Sequence, residues 1–131
     1  MNKQVSTMLA LGISLVPAFA QQTEAEAPLV ANAEVDSYAI AEQLYTQART
    51  TPDAAARAQA MGRAANLFAN YVSKFPKGAN REKAMYLQAV CQAEAGDMAG
   101  SNNTLGELAN KHKGEYAAAA AYKLANQATE R

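Results

Sequence analysis

The chain has 131 residues, half of them hydrophobic, and its 12 basic and 12 acidic residues give a net charge of zero at pH 7. A neutral chain of this length is one domain at most, and its charge favours neither nucleic acid nor an anionic membrane as a partner. The single cysteine, Cys91, cannot form an internal disulfide, and we expect it to be a small buried side chain.

Residues 1–20, MNKQVSTMLALGISLVPAFA, have the layout of an export signal. An apolar run follows Lys3, Pro17 breaks it, and residues 18–20, Ala-Phe-Ala, form a small-x-small cleavage site. The run is shorter than the roughly 20 residues of a membrane span, and no cysteine follows it as in a lipoprotein. We expect a cleaved signal peptide and an exported product, periplasmic or secreted, with no membrane span. The alternatives are a buried amino-terminal helix or a membrane anchor.

Residues 21–36 differ in composition from the rest of the chain. They contain Pro28, four acidic residues and no basic one, and they lack a helical apolar stripe. This composition predicts an acidic, flexible or extended leader. In residues 37–131, apolar positions recur every three or four residues and β-branched residues are few, which predicts an all-α domain.

Capping and breaking residues divide this domain into five helices with short loops, and short loops imply antiparallel neighbours. The predicted helices cover Ser37 to about Thr50, Pro52 to Lys74, Asn80 to Ala95, Met98 to about Lys111, and Glu115 to about Thr129. Thr51-Pro52-Asp53 indicates the start of the second helix. Gly96-Asp97 separates the third from the fourth, and Gly114 precedes the fifth.

The third and fifth predicted helices repeat each other at a shift of about 36 residues. The matched pairs are Ala84 with Ala120, Tyr86 with Tyr122 and Ala89 with Ala125. With one residue of slack, the same shift matches Phe68 and Tyr71 of the second helix with Leu105 and Leu108 of the fourth. A repeating unit of two helices buries its apolar stripe by stacking on its neighbours. The spacing therefore predicts a stacked array.

The second predicted helix carries a recognisable signature. Ala64 precedes Phe68 by four residues, and Tyr71 and a closing Pro76 follow. This pattern resembles the second helix of the tetratricopeptide repeat (TPR) family. The first helix fits by spacing, with Tyr38, Ala41, Glu42 and Tyr45 at the signature positions. An extra stretch of about ten residues, TPDAAARAQA, separates the two parts.

Residues 37–131 are similar to TPR proteins of the Gram-negative cell envelope, such as those associated with Tol-Pal or with outer-membrane assembly. The resemblance implies a TPR-like solenoid of α-α hairpins with about two and a half repeats. It also implies a non-enzymatic scaffold that binds a peptide or partner protein on its concave face. The alternatives are a plain five-helix bundle, a self-associating assembly subunit, and the amino-terminal part of a longer repeat protein.

Candidate partner-binding residues lie on the first-helix faces that this geometry leaves free of packing. They are Gln43, Gln47, Gln88, Gln92, Lys123 and Gln127. Their glutamine content indicates hydrogen bonding to a peptide backbone or a polar polymer. The alternative is an ordinary solvated surface.

The last helix is predicted to turn a polar stripe outward and an apolar stripe inward. The polar stripe is Lys123, Asn126, Gln127 and Glu130, and the apolar stripe is Ala121, Leu124, Ala125 and Ala128. Such a helix caps the array or, alternatively, docks on a second copy to form a homo-oligomer.

Enzymatic function finds little support in the sequence. The one histidine, His112, is predicted to end a helix, and no catalytic motif, metal-ligand spacing or phosphate-binding loop is present. We therefore expect no cofactor and no metal, with an unrecognised hydrolase site as the alternative. Five tyrosines, at positions 38, 45, 71, 86 and 122, have core spacing, whereas Tyr116 is predicted to be exposed.

Overall fold

A computed structural model describes residues 33–129, which form five α-helices joined by short loops. They are α1 (33–49), α2 (Ala54–Lys74), α3 (Arg81–Glu94), α4 (Met98–Lys111) and α5 (Glu115–Thr129). This part of the chain contains no strand, so the all-α prediction is confirmed for it. None of its helices has the length and apolar character needed to cross a membrane. The predicted signal peptide and residues 21–32 of the predicted leader lie outside the described residues.

Helix α1 includes residues 33–36, so the prediction of a non-helical leader is wrong for these four residues. The Glu34 carboxylate accepts hydrogen bonds from the Tyr71 hydroxyl (3.1 Å) and from the backbone N–H of Ala79 (2.9 Å). These partners lie 37 and 45 positions further along the chain. The local sequence pattern therefore gave no sign of the contacts that hold this first turn against α2.

Local capping chemistry sets the starts of α2 and α4. The carboxylates of Asp53 and Asp97 each accept a hydrogen bond from the backbone N–H three residues on, at 2.8 and 2.9 Å. Pro52, predicted to lie inside α2, precedes its cap instead. Gly96 and Gly114, at φ +94° and +107°, adopt the left-handed conformation before α4 and α5, as the sequence indicated for Gly96.

A first core joins α1, α2 and α3 around Phe68, which is fully buried. The rings of Tyr38 and Tyr45 meet Phe68 edge-on, with centroids 6.0 and 6.4 Å away. Small residues complete this core, among them Ala41, Ala48, Ala64, Ala65 and Ala84. They allow the helix axes to approach closely where the aromatic rings do not intervene.

A second core joins α3, α4 and α5. Its buried members are Met85, Ala89, Leu105, Leu108 and Ala120. Consecutive helices from α2 to α5 pack against one another, and α3 also contacts α5. Because α3 contributes to both cores, it is the central element of the domain.

Two tyrosine predictions are wrong. Tyr116, predicted to be exposed, is half-buried and packs its ring against Tyr86, with a centroid distance of 6.2 Å. Tyr122, predicted to lie in the core, is 72% exposed. The exchange follows from the rotation of α5 about its axis, which its run of five alanines does not specify.

Candidate partner-binding face

The odd-numbered helices α1, α3 and α5 lie side by side. Lys83 on α3 pairs with Glu42 on α1 at 3.6 Å, and its ammonium lies 5.8 Å from the centroid of the Tyr38 ring. The Tyr86–Tyr116 contact joins α3 to α5. These contacts create an open surface shared by the three helices, which we call the odd-helix face.

A first depression of about 560 Å³ lies between α1 and α3. It is lined by Ala39, Glu42, Gln43, Tyr45, Thr46, Gln47, Arg49, Lys83 and Leu87. The Arg49 guanidinium lies 5.6 Å from the Tyr45 ring centroid and holds that ring at the edge of the depression. Gln43 and Gln47 are exposed, so their amides are free to bond to a ligand.

A second depression, of about 310 Å³, lies between α3 and α5. It is lined by Val90, Ala93, Glu94, Met98, Lys123, Asn126 and Gln127. Leu87, Val90 and Glu94 have the i, i+3, i+7 spacing of one helix face. The two depressions therefore flank a single stripe of α3.

Three of the six predicted binding residues lie on the odd-helix face and are accessible there. Gln43 and Gln47 line the first depression, and Lys123 lines the second. Gln127 also reaches the second depression but is only 6% exposed, and its amide donates to the Asn102 side chain at 2.6 Å. The prediction that Gln127 is free of packing is therefore wrong.

Gln88 and Gln92 lie on a different surface. They line a groove between α2 and α3 together with Gln59, Gly62 and other α2 residues. The Gln92 side-chain oxygen accepts a hydrogen bond from the Thr104 hydroxyl at 2.9 Å, so it helps to join α3 to α4. The six predicted residues therefore do not form one site.

Most lining residues of the two depressions were absent from the prediction, among them Lys83, Leu87, Val90 and Met98. The first three follow helix-face spacing on α3, a signal present in the sequence. Polar residue type points instead to Gln88 and Gln92, which lie on the opposite side of the helix. Met98 is 39% exposed and starts α4, a position that periodicity within α3 does not indicate.

A polar cluster joins the start of α3 to the end of α4. His112 Nδ1 lies 2.9 Å from a Glu82 carboxylate oxygen, and His112 Nε2 lies 3.4 Å from Arg81 Nη1. His112 is the C-cap of α4, in agreement with the prediction that it ends a helix. The depression around this cluster is also lined by Lys83, Glu115 and Tyr116, and its lining contains no serine, threonine or cysteine.

The titratable groups of residues 33–129 include no set of three that could hold a metal ion. Cys91 is fully buried in the first core, and burial raises the pKa of its thiol to about 12. Comparisons of the chain with protein-family models, curated proteins and solved structures found no match. The odd-helix face can offer hydrogen bonds, apolar contacts and charges of both signs, which are the means of non-covalent recognition.

Proposed function

We propose that this protein is a non-enzymatic binding module of the cell envelope, built from TPR-like helix pairs. It holds a peptide or a segment of a partner protein on the odd-helix face. The supporting observation is the pair of depressions on either side of the α3 stripe. Two depressions spread across three helices suit an extended or helical segment better than a compact small molecule.

The chemistry of the face defines the class of partner. Leu87, Val90 and Met98 provide apolar surface at its centre, and Gln43 and Gln47 provide amides at one rim. Amides bond to backbone N–H and C=O groups alike. The preferred ligand is therefore a segment with small apolar side chains that leaves part of its backbone accessible.

Charge contributes little to this recognition. Both depressions contain acidic and basic residues, and Lys83 is already paired with Glu42. Pairs this exposed contribute little free energy and are screened by salt. Binding is therefore expected to depend only weakly on ionic strength.

The envelope setting rests on the export-signal layout of residues 1–20 and on the TPR-like spacing of the helical part. In a repeat array each helix pair is held mainly by its neighbours, and the exposed face of the first helices is left for partners. The adjacency of α1, α3 and α5 supports the interpretation of the chain as such an array.

A library of short random peptides displayed on phage tests the proposal. We expect the protein to select peptides, and the double variant Gln43→Ala/Gln47→Ala to bind them roughly tenfold more weakly, because two hydrogen bonds of about 0.5–1.5 kcal/mol each are lost. The matched control is Asn66→Ala/Asn70→Ala, which removes two exposed amides from α2.

Equal binding by both double variants and the unchanged protein would contradict this use of the face, as would failure to select any peptide. Val90→Lys adds a steric test at the central stripe, and we expect it to abolish binding. Circular dichroism of each variant establishes that the helices are retained.

A further inference from the structure

The polar cluster between α3 and α4 has a geometry that defines where the histidine proton lies. His112 Nδ1 lies 2.9 Å from a Glu82 carboxylate oxygen, which accepts hydrogen bonds, so Nδ1 carries a proton and donates it. His112 Nε2 lies 3.4 Å from Arg81 Nη1, which only donates, so Nε2 carries no proton and accepts. The two neighbours together select the neutral ring with its proton on Nδ1.

The Arg81 guanidinium depends on this ring for a hydrogen-bond acceptor. Its Nε is buried and has no hydrogen-bond partner within residues 33–129. Its Nη1 also contacts the Met85 sulfur at 3.6 Å, but a thioether sulfur is a weak acceptor. His112 Nε2 is therefore the strongest acceptor that the described part of the chain offers to Arg81.

Protonation of the ring would remove that acceptor. A proton taken up from water binds to the free lone pair of Nε2, and the new N–H then faces the N–H groups of Arg81. The imidazolium and the guanidinium repel each other as like charges, whereas the Glu82 carboxylate holds the imidazolium more strongly than the neutral ring. The ring therefore stays in place, and Arg81, on its long flexible side chain, is the group that moves.

The structure provides a polar space for the displaced side chain. Arg81 also lines a depression of about 340 Å³ beside α2, and Ser73, Thr104 and Glu107 line the same depression. Glu107 is exposed and offers an acceptor of opposite charge. A guanidinium that leaves His112 can therefore enter a polar environment without crossing either apolar core.

We propose that His112 is a proton-operated switch, which holds Arg81 when the ring is neutral and releases it when the ring is protonated. Histidine is the side chain that ordinarily changes its charge between pH 5 and 8, so the switch responds to pH within that range. It is independent of the binding function proposed above, since it involves no partner.

Charges of both signs surround the ring. The acidic groups are Glu82 on α3 and Glu115 on α5; the basic ones are Lys77 before α3, Arg81 and Lys83 on α3, and the sequence neighbours Lys111 and Lys113; the Tyr116 phenol also lines the depression. The acidic groups favour the charged ring and the basic groups oppose it. The His112 side chain is 20% exposed, so solvent can supply the proton.

The position of the ring proton can be measured in the unchanged protein. His112 is the single histidine of the chain, so the imidazole signals in a long-range ¹H–¹⁵N NMR spectrum of untagged protein belong to it alone. At pH 8 we expect the proton on Nδ1 and an unprotonated Nε2. A ring with its proton on Nε2, or an equal mixture of the two forms, would overturn the proposal.

Hydrogen exchange of the Arg81 side chain measures its release. The Arg81 Nε–H is buried while His112 is neutral, whereas Arg63 on α2 is exposed and serves as an internal reference. As the pH falls from 8 to 5, the ratio of the Arg81 exchange rate to the Arg63 rate should rise several-fold and follow the titration of His112. A constant ratio, or a ring that stays neutral down to pH 5, would refute the switch.

The variant His112→Gln separates the histidine proton from other effects of pH. A glutamine amide can donate to Glu82 and accept from Arg81, but it does not titrate. The exchange ratio should therefore stay low at both pH values. A rise equal to that of the unchanged protein would assign the release of Arg81 to another group, and the proposal would be wrong.

Lys113→Gln is the matched control, because it removes a charge next to the ring and leaves His112 in place. This variant should retain the pH-dependent rise in the exchange ratio, and loss of the rise would contradict the role of His112. Circular dichroism establishes that both variants keep their helices. The two measurements on the unchanged protein remain decisive even if a substitution disturbs the fold.

Discussion

Among single side chains, Phe68 is the one whose truncation has the clearest expected effect on the free energy of unfolding. It is fully buried, and two tyrosine rings meet it edge-on. Phe68→Ala should lower the free energy of unfolding by about 3–5 kcal/mol, because it leaves a cavity in the first core. Urea denaturation followed by circular dichroism measures this loss. Tyr122→Ala is the control, with an expected change within about 0.5 kcal/mol, because the ring is exposed. Similar losses in the two variants would contradict this core.

Cys91 allows a prediction about reactivity. Burial raises the pKa of its thiol from 9.0 to about 12, so the neutral form prevails at pH 8 and a thiolate-directed reagent finds no target. Iodoacetamide should leave the native protein unmodified at pH 8 and label it once urea unfolds it. Mass spectrometry measures the added group, and rapid labelling of the native protein would show that the site is open.

The same pKa shift determines the sign of a pH effect. The thiol ionises more easily in the unfolded chain, so its contribution to stability is complete below pH 9 and is lost as the pH rises towards 12. Burial raises the pKa of Tyr38, Tyr45 and Tyr71 in the same direction. Alkaline pH should therefore destabilise the first core through several groups together.

At the scale of helices, replacing either of two glycines by alanine should change the stability in opposite directions. Gly96 has φ +94° between α3 and α4, whereas Gly106 lies in the interior of α4 with open space around its Cα. Gly96→Ala should cost about 1 kcal/mol through backbone strain. Gly106→Ala should gain about 0.5–1 kcal/mol through helix propensity. Thermal unfolding of the two variants measures both signs, and equal shifts would contradict the left-handed turn.

The helix boundaries were predictable because their causes are local. Asp97 and Gly96 act within a few residues of the α3–α4 junction, and the sequence displays them directly. The start of α1 was not predictable, because Glu34 finds its partners in α2 and beyond it. Because of these contacts between distant residues, α1 begins four residues earlier than the local composition indicates.

The rotation of α5 about its axis was likewise not predictable from the local sequence, and this affected the predicted binding residues. Five successive alanines, residues 117–121, give the helix no distinct apolar direction. Long-range contacts settle its rotation, with Tyr116 against Tyr86 and Gln127 against Asn102. A buried glutamine was therefore predicted as a binding residue, whereas Gln43 on the strongly patterned α1 was placed correctly on the open surface.

At the scale of the whole domain, α3 is the one helix that gives fully buried residues to both cores, and Val72 of α2 packs against both. Helix α5 contributes few buried residues, namely Ala117, Ala120 and Gln127, whereas α3 is enclosed by neighbours on both sides. In a stacked arrangement, terminal elements open more readily than central ones. Local stability should therefore be highest in α3 and lowest in α5.

Native-state hydrogen exchange tests this gradient directly. Amides of α5 should exchange through openings of lower free energy than those of α3. Leu105→Ala, in the second core, should lower protection in α4 and α5 more than in α1, whereas Phe68→Ala should show the reverse order, because each cavity weakens the helices that line it. If every amide in both variants lost the same free energy, the domain would unfold as a single cooperative unit. The two cores would then not act separately, and α3 would transmit every loss of packing to both ends.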